Sequence, residues 1–213
     1  MVLRARTTVG SRPSTTRGLS ARGPTLFRGR RRQSWPDYGD RVPHYDVASW
    51  DRALEQHIAS YFGTHPIGRE RWPLGPVERR IPGFFVYKVG PGPRFSGWTF
   101  LTAGCWGATA EAGHGLEFVL STNADDPRHV EILTMLAYYH AGPPEQRLDL
   151  GHTVPIGEAW TPGSACEYEL IGLPYAYGPD LEVCAWSSGH IQVLAVQPIT
   201  AAEREFKVEH GAE

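Results

Sequence analysis

The chain has 213 residues, enough for one sizeable domain and short for two. Its net charge of −2 hides an asymmetry: residues 1–33 carry nine Arg and no acid, so the remaining 12 Lys and Arg face all 23 acids, leaving that body near −11. An acidic body argues against nucleic acid as the main partner. No apolar run approaches the roughly 20 residues of a membrane helix.

Residues 1–43 are rich in Arg, Ser, Thr, Gly and Pro. Such a stretch cannot bury enough surface to offset its ordering entropy, so a disordered leader is expected, followed by one domain over 44–213. It lacks the apolar core of a secretory signal. Trp50, Leu54, Ile58 and Phe62 then recur every four residues and predict a helix from Asp46 to Phe62, with Asp46 or Ser49 as cap and Gly63 as stop. Residues 64–80 hold Pro66, Trp72, Pro73 and Pro76 among four Arg, and read as an irregular loop. Trp beside Arg is enriched at protein interfaces, which makes Trp72 a candidate contact.

Ile81–Val89 and Trp98–Ala103 read as strands. A loop rich in small residues, from Cys105 to His114, joins the second to a strand over Leu116–Leu120. Leu116, Phe118 and Leu120 alternate there with Glu117 and Val119. A charge among apolar strand residues is costly unless paired, so Glu117 is expected to be structural, held by Arg or by backbone amides. Asp126 and Pro127 start a second helix, and Val130, Leu133, Leu136, Ala137 and His140 form its stripe. Gly142 is expected in the left-handed closing position. A short strand near His152–Pro155, a strand over Tyr168–Leu173 and a hairpin from Leu181 to Val196 follow. Thr200 and Glu203 form a capping box for a last helix ending at Gly211. The fold expected is α+β: a mixed, largely antiparallel sheet packed by three main helices in a single domain.

Cys105, Cys166 and Cys184 show neither a CxxC pair nor zinc spacing, and read as thiols of a reducing cytoplasm. Cys105 with His114, or His140 with His152, could be drawn as nucleophile and base. No nucleophile elbow, phosphate loop or HExxH supports an enzyme, and no metal site or cofactor is expected.

The Gly115–Leu120 strand, the Val130–Tyr139 helix, the Leu150–Val154 segment and the stretch from Gly189 through Pro198-Ile-Thr-Ala-Ala-Glu203 occur in an order that resembles the suppressor of fused (SUFU-like) domain family. The resemblance spans about Ala53 to Gly211. It implies a mixed α/β domain that binds protein and does no catalysis. Eukaryotic members grip an extended peptide; stand-alone bacterial members are taken as immunity proteins that neutralise a cognate polymorphic toxin, and the composition favours that form. The partner expected is therefore a protein, with no nucleic acid and no membrane. The alternatives are a SUFU-like regulatory domain binding a host protein or peptide, and an unrecognised hydrolase. In the eukaryotic form the contacts cluster ahead of the Gly-x-Glu-Phe strand, which here points to the region Trp106–His114, where the residues themselves single out Trp106, Glu111 and His114. An aromatic anchor with polar neighbours beside a sheet edge suits strand addition.

Overall fold

A computed structural model describes residues 46–110, 113–186 and 189–211; the leader expected over 1–43 lies outside them. Helix α1 (Val47–Phe62) starts where the Asp46 carboxylate accepts the Ala48 N–H, and Gly63 closes it with φ 56°. Its stripe of Trp50, Leu54, Ile58 and Phe62, widened by Tyr61, is buried.

The stretch expected to be an irregular loop holds two short elements, β1 (Ile67–Glu70) and a one-turn helix α2 (Val77–Arg80). All four β1 residues are exposed, so no alternation marked the strand. Pro82 and Gly83, with φ 81° at the glycine, delay the next strand, so β2 runs over Phe85–Val89 and not from Ile81. Next come β3 (Trp98–Ala103), a 3₁₀ turn (Cys105–Ala108), β4 (His114–Thr122) and α3 (Pro127–His140), whose first turn is capped by Asp126 accepting the Arg128 N–H.

Gly142 does not adopt the left-handed conformation. A Cβ there would lie 1.9 Å from the Gln146 side chain and 2.9 Å from the Tyr139 carbonyl, so crowding is what favours glycine. A second 3₁₀ turn (Pro144–Gln146) precedes β5 (Thr153–Pro155) and β6 (Cys166–Gly172). The expected Leu181 strand begins as a helical turn, α4 (Pro179–Glu182), because Pro179 suits a helix start; β7 (Val183–Trp186) then pairs with β8 (Gly189–Thr200). Helix α5 (Ala201–His210) opens on the Thr200–Glu203 capping box.

Among the described residues one mixed sheet of eight strands results, seven of them in the order β1-β2-β3-β4-β8-β6-β5 and β7 paired with β8 off that path. β4 and β8 pair in parallel and the other pairings are antiparallel. β8 is shared: its first residues pair with β7 on one edge, its last with β6 on the same edge, and β4 lies along the other. Both faces of the sheet are covered. Phe100, Leu116, Phe118, Leu120, Ile171 and Leu194 pack under α3, whereas Leu101, Val119, Ile191 and Val193 pack under α1. Each such large side chain, fully buried, stabilises the fold by about 1.5–3 kcal/mol. Helix α5 is different: it buries no residue, and Phe206 is 61% exposed. It is tied down by Lys207, whose ammonium donates to the Gly151 carbonyl and the Thr153 hydroxyl. Among the described residues no helix is long and apolar enough to cross a membrane.

Candidate protein-binding site

The loop between β3 and β4 is built around one carboxyl. The alternation of β4 turns Glu117 toward the α1 side, where it is fully buried. It accepts the Thr102 hydroxyl at 2.5 Å, the Gly104 N–H at 2.8 Å and the Trp106 N–H at 3.2 Å. Gly104, at φ 118°, supplies the left-handed turn that brings these amides round. Burial pushes the Glu117 carboxyl up to about 8, against the opposing pull of those hydrogen bonds. The partners are thus a hydroxyl, backbone amides and the Cys105 thiol, with no Arg. Burial first, then the neighbouring Glu117, holds the Cys105 thiol well above its usual range.

Trp106 is turned inward, 6% exposed. Its ring stacks on Trp50 at 4.9 Å, and its indole N–H donates to Asp51 at 3.2 Å. Trp50 in turn meets Trp186 edge-on at 4.7 Å. Gly115 is required beneath this stack, since a Cβ there would lie 2.4 Å from the Trp106 Cβ. Trp106 therefore pins the loop to α1 and offers no exposed anchor. His114 is half-buried and has the strand parity of Leu116, away from the Trp106 side. It stacks with His190 across the parallel β4–β8 pair at 6.0 Å. Burial, and then His114, pulls the His190 pKa down. Glu111 lies outside the described residues.

Trp72 belongs to a different region. It packs against the core on the α3 side and, with Leu74, Pro76, Met135 and Tyr138, lines a cavity of about 290 Å³. Leu74 is 65% exposed and Met135 40% exposed. A second cavity of about 290 Å³ continues past Met135 and Tyr138 to Tyr139, Arg80, Val154 and Glu169. The Arg80 guanidinium lies 3.7 Å over the Tyr138 ring and donates to the Tyr138 carbonyl at 2.7 Å. Sequence reasoning pointed to Trp72 but missed the α3 half of this surface. The available signal was Met135 and Tyr139, an apolar pair four residues apart and off the buried stripe. Among the described residues no three of His, Cys, Asp and Glu converge as a metal site would need.

These features define a three-layer α+β domain with an apolar, aromatic-rimmed surface along α3. The suppressor of fused protein (SUFU) family model matches residues 84–213. A solved suppressor of fused homolog from Neisseria gonorrhoeae is 30% identical, with 76% of this chain and 84% of that chain covered and a TM-score of 0.64. The chain thus belongs to the suppressor of fused family. A chain of the crystallised Sufu–Fu complex shares the fold at 10% identity, covering 76% of this chain and 80% of that one, with a TM-score of 0.54. No curated protein sequence matches.

Proposed function

We propose that this chain is a non-catalytic, cytoplasmic protein-binding domain, acting as an immunity protein that neutralises a cognate polymorphic toxin. The observation that carries a binding role is the α3 surface. Leu74, Met135 and Tyr139 are exposed large apolar groups, and two apolar-walled cavities run beneath them past Trp72 and Tyr138. Contiguous apolar surface with aromatic and Arg neighbours suits a polypeptide partner. The existence of a Sufu–Fu complex agrees with such a role for the fold. The acidic body favours fast, steered association with a basic partner.

In this reading the loop from Cys105 to His114, with Glu111, forms a further part of the contact. Trp106 acts there as a positioning residue, and His114 stands at the rim. The chemistry of Cys105 supports binding over hydrolysis: its thiol is fully buried beside Glu117 and raised in pKa, the reverse of an activated nucleophile. His140 is neutral, pulled down to about 4 chiefly by burial, and its Nδ1 accepts the Leu148 N–H. The regulatory alternative, a host protein or peptide as partner, uses the same surface.

Co-expression with the product of the adjacent large gene tests the proposal. Growth rescue and a co-purifying 1:1 complex are expected. Leu74→Asp combined with Met135→Asp should weaken that complex by at least about tenfold. Rescue without any complex, or a complex indifferent to both changes, would remove the toxin-binding reading or the surface, respectively.

A further inference from the structure

Glu169 lies on β6 with the parity of Ile171, so it points to the α3 side, and it is only 3% exposed. It forms part of the wall of the cavity that also contacts Met135, Leu136 and Tyr139. Among the described residues its carboxyl accepts no hydrogen bond. Neither nearby arginine bonds it. Arg128 donates through Nη1 to Glu131 at 2.7 Å and to Glu158 at 2.8 Å and through Nε to the Trp160 carbonyl, while its buried Nη2 has no partner among the described residues and makes no hydrogen bond to Glu169. Arg80 is stacked on Tyr138 and bonded to its carbonyl. A deprotonated carboxyl is purely an acceptor, so a group that binds that form brings donors. Burial pushes the Glu169 carboxyl up to about 8, with Arg128 opposing, so at neutral pH the empty site is largely uncharged.

We propose that this cavity receives one basic side chain, lysine or arginine, from the partner polypeptide. The stem lies along Met135, Leu136 and Tyr139 and the cationic head meets the Glu169 carboxylate. Long basic side chains bury apolar stems while their heads seek polar partners, and a charge-assisted pair inside an apolar cavity is stronger than one in water. The charge of about −11 on the body favours a cation over an anion. Docking expels the carboxyl proton to solvent and leaves an ion pair. The inference rests on the protein-binding reading above and adds the chemistry of one contact.

The probe is n-butylguanidinium, with uncharged n-butylurea as its isosteric control, added to the full chain. The chain has two methionines, so [methyl-13C]Met labelling makes the Met135 methyl a direct reporter of the cavity. Butylguanidinium should shift that signal saturably and butylurea should not. Affinity should rise about tenfold per pH unit between pH 6 and 8 and then level, as proton release demands. The charged and titratable groups facing the site are Arg80, Arg128, Tyr138 and Tyr139, and both arginines keep their charge throughout. Glu169→Gln should lose at least tenfold in affinity and the pH dependence together, with no loss of thermal stability. Absence of a Met135 shift at pH 8.5, equal response to butylurea, or a flat pH profile in the unaltered chain each overturn the proposal. None of these outcomes involves the partner, so they leave the wider binding role to be judged by co-purification.

Discussion

Glu117 and Glu169 lie on opposite sides of the same sheet, both almost inaccessible, and burial pushes both up to about 8. Around Glu117 the chain has placed a hydroxyl and two backbone N–H groups within hydrogen-bond reach. Around Glu169 it has placed apolar walls, aromatic rings, the Arg80 guanidinium engaged with Tyr138, and Arg128, which acts on the carboxyl through its charge but makes no hydrogen bond to it. Burial alone does not say what a carboxyl does. The donors supplied by its own chain do: a full complement marks a group that organises a loop, and an empty one marks capacity left for something else.

The largest expected effects lie on the Glu117 side. Trp106→Ala should cost about 3–5 kcal/mol in urea unfolding, because a buried indole is removed from its stack on Trp50. Glu117→Leu should cost about 3 kcal/mol, since the Gly104 and Trp106 amides lose their acceptor.

Next in size is a pH effect to which both acids contribute. Each carboxyl is raised from 4.5 to about 8 on folding, so its stabilising contribution is complete below about 4.5 and is lost as pH rises through 8. His140 and His129, lowered on folding, act in the opposite direction below 6.5. Unfolding free energy should therefore fall between pH 6.5 and 8, by roughly 1.4 kcal/mol per pH unit for each acid at most. Removing Glu169 should about halve that slope.

Glu169→Leu sharpens the contrast most directly. Replacing a buried carboxyl that lacks donors with an apolar side chain should raise stability by about 1 kcal/mol, opposite in sign to Glu117→Leu. If both changes destabilise alike, the distinction between the two sides collapses. The smallest effect is Leu74→Asp, which should move stability by no more than about 0.5 kcal/mol, as expected for an exposed position.

Much of this arrangement was legible before the coordinates. Asp46, Asp126 and the Thr200–Glu203 box each cap a helix where a side-chain acceptor near an apolar stripe predicts one. Trp98–Ala103 and the β4 core were readable because their residues are mostly apolar, aromatic or β-branched. Glu117 could be picked out because it interrupts that pattern. Glu169 could not. It sits in a strand whose first half is exposed or half-buried, and its burial arises from the tertiary packing of β5 and α3 around it, which no local pattern shows. Trp106 misled for a related reason: a Trp in a Gly-rich loop looks like surface until α1 is known to lie beneath it. β1 and α2 are each one short stretch with no periodicity to detect.

The shared strand β8 has a consequence for biosynthesis. β4 ends at Thr122 and its parallel neighbour does not begin until Gly189, so the centre of the sheet waits for a segment made only after α3, β5 and β6. At a ribosomal pace of about 5–20 residues per second, the emerging β1–β4 half stands for several seconds with its inner border unpaired. An unpaired apolar border invites intermolecular strand pairing. Yield in a cell should therefore respond to nascent-chain protection over that interval as well as to the stability of the finished molecule.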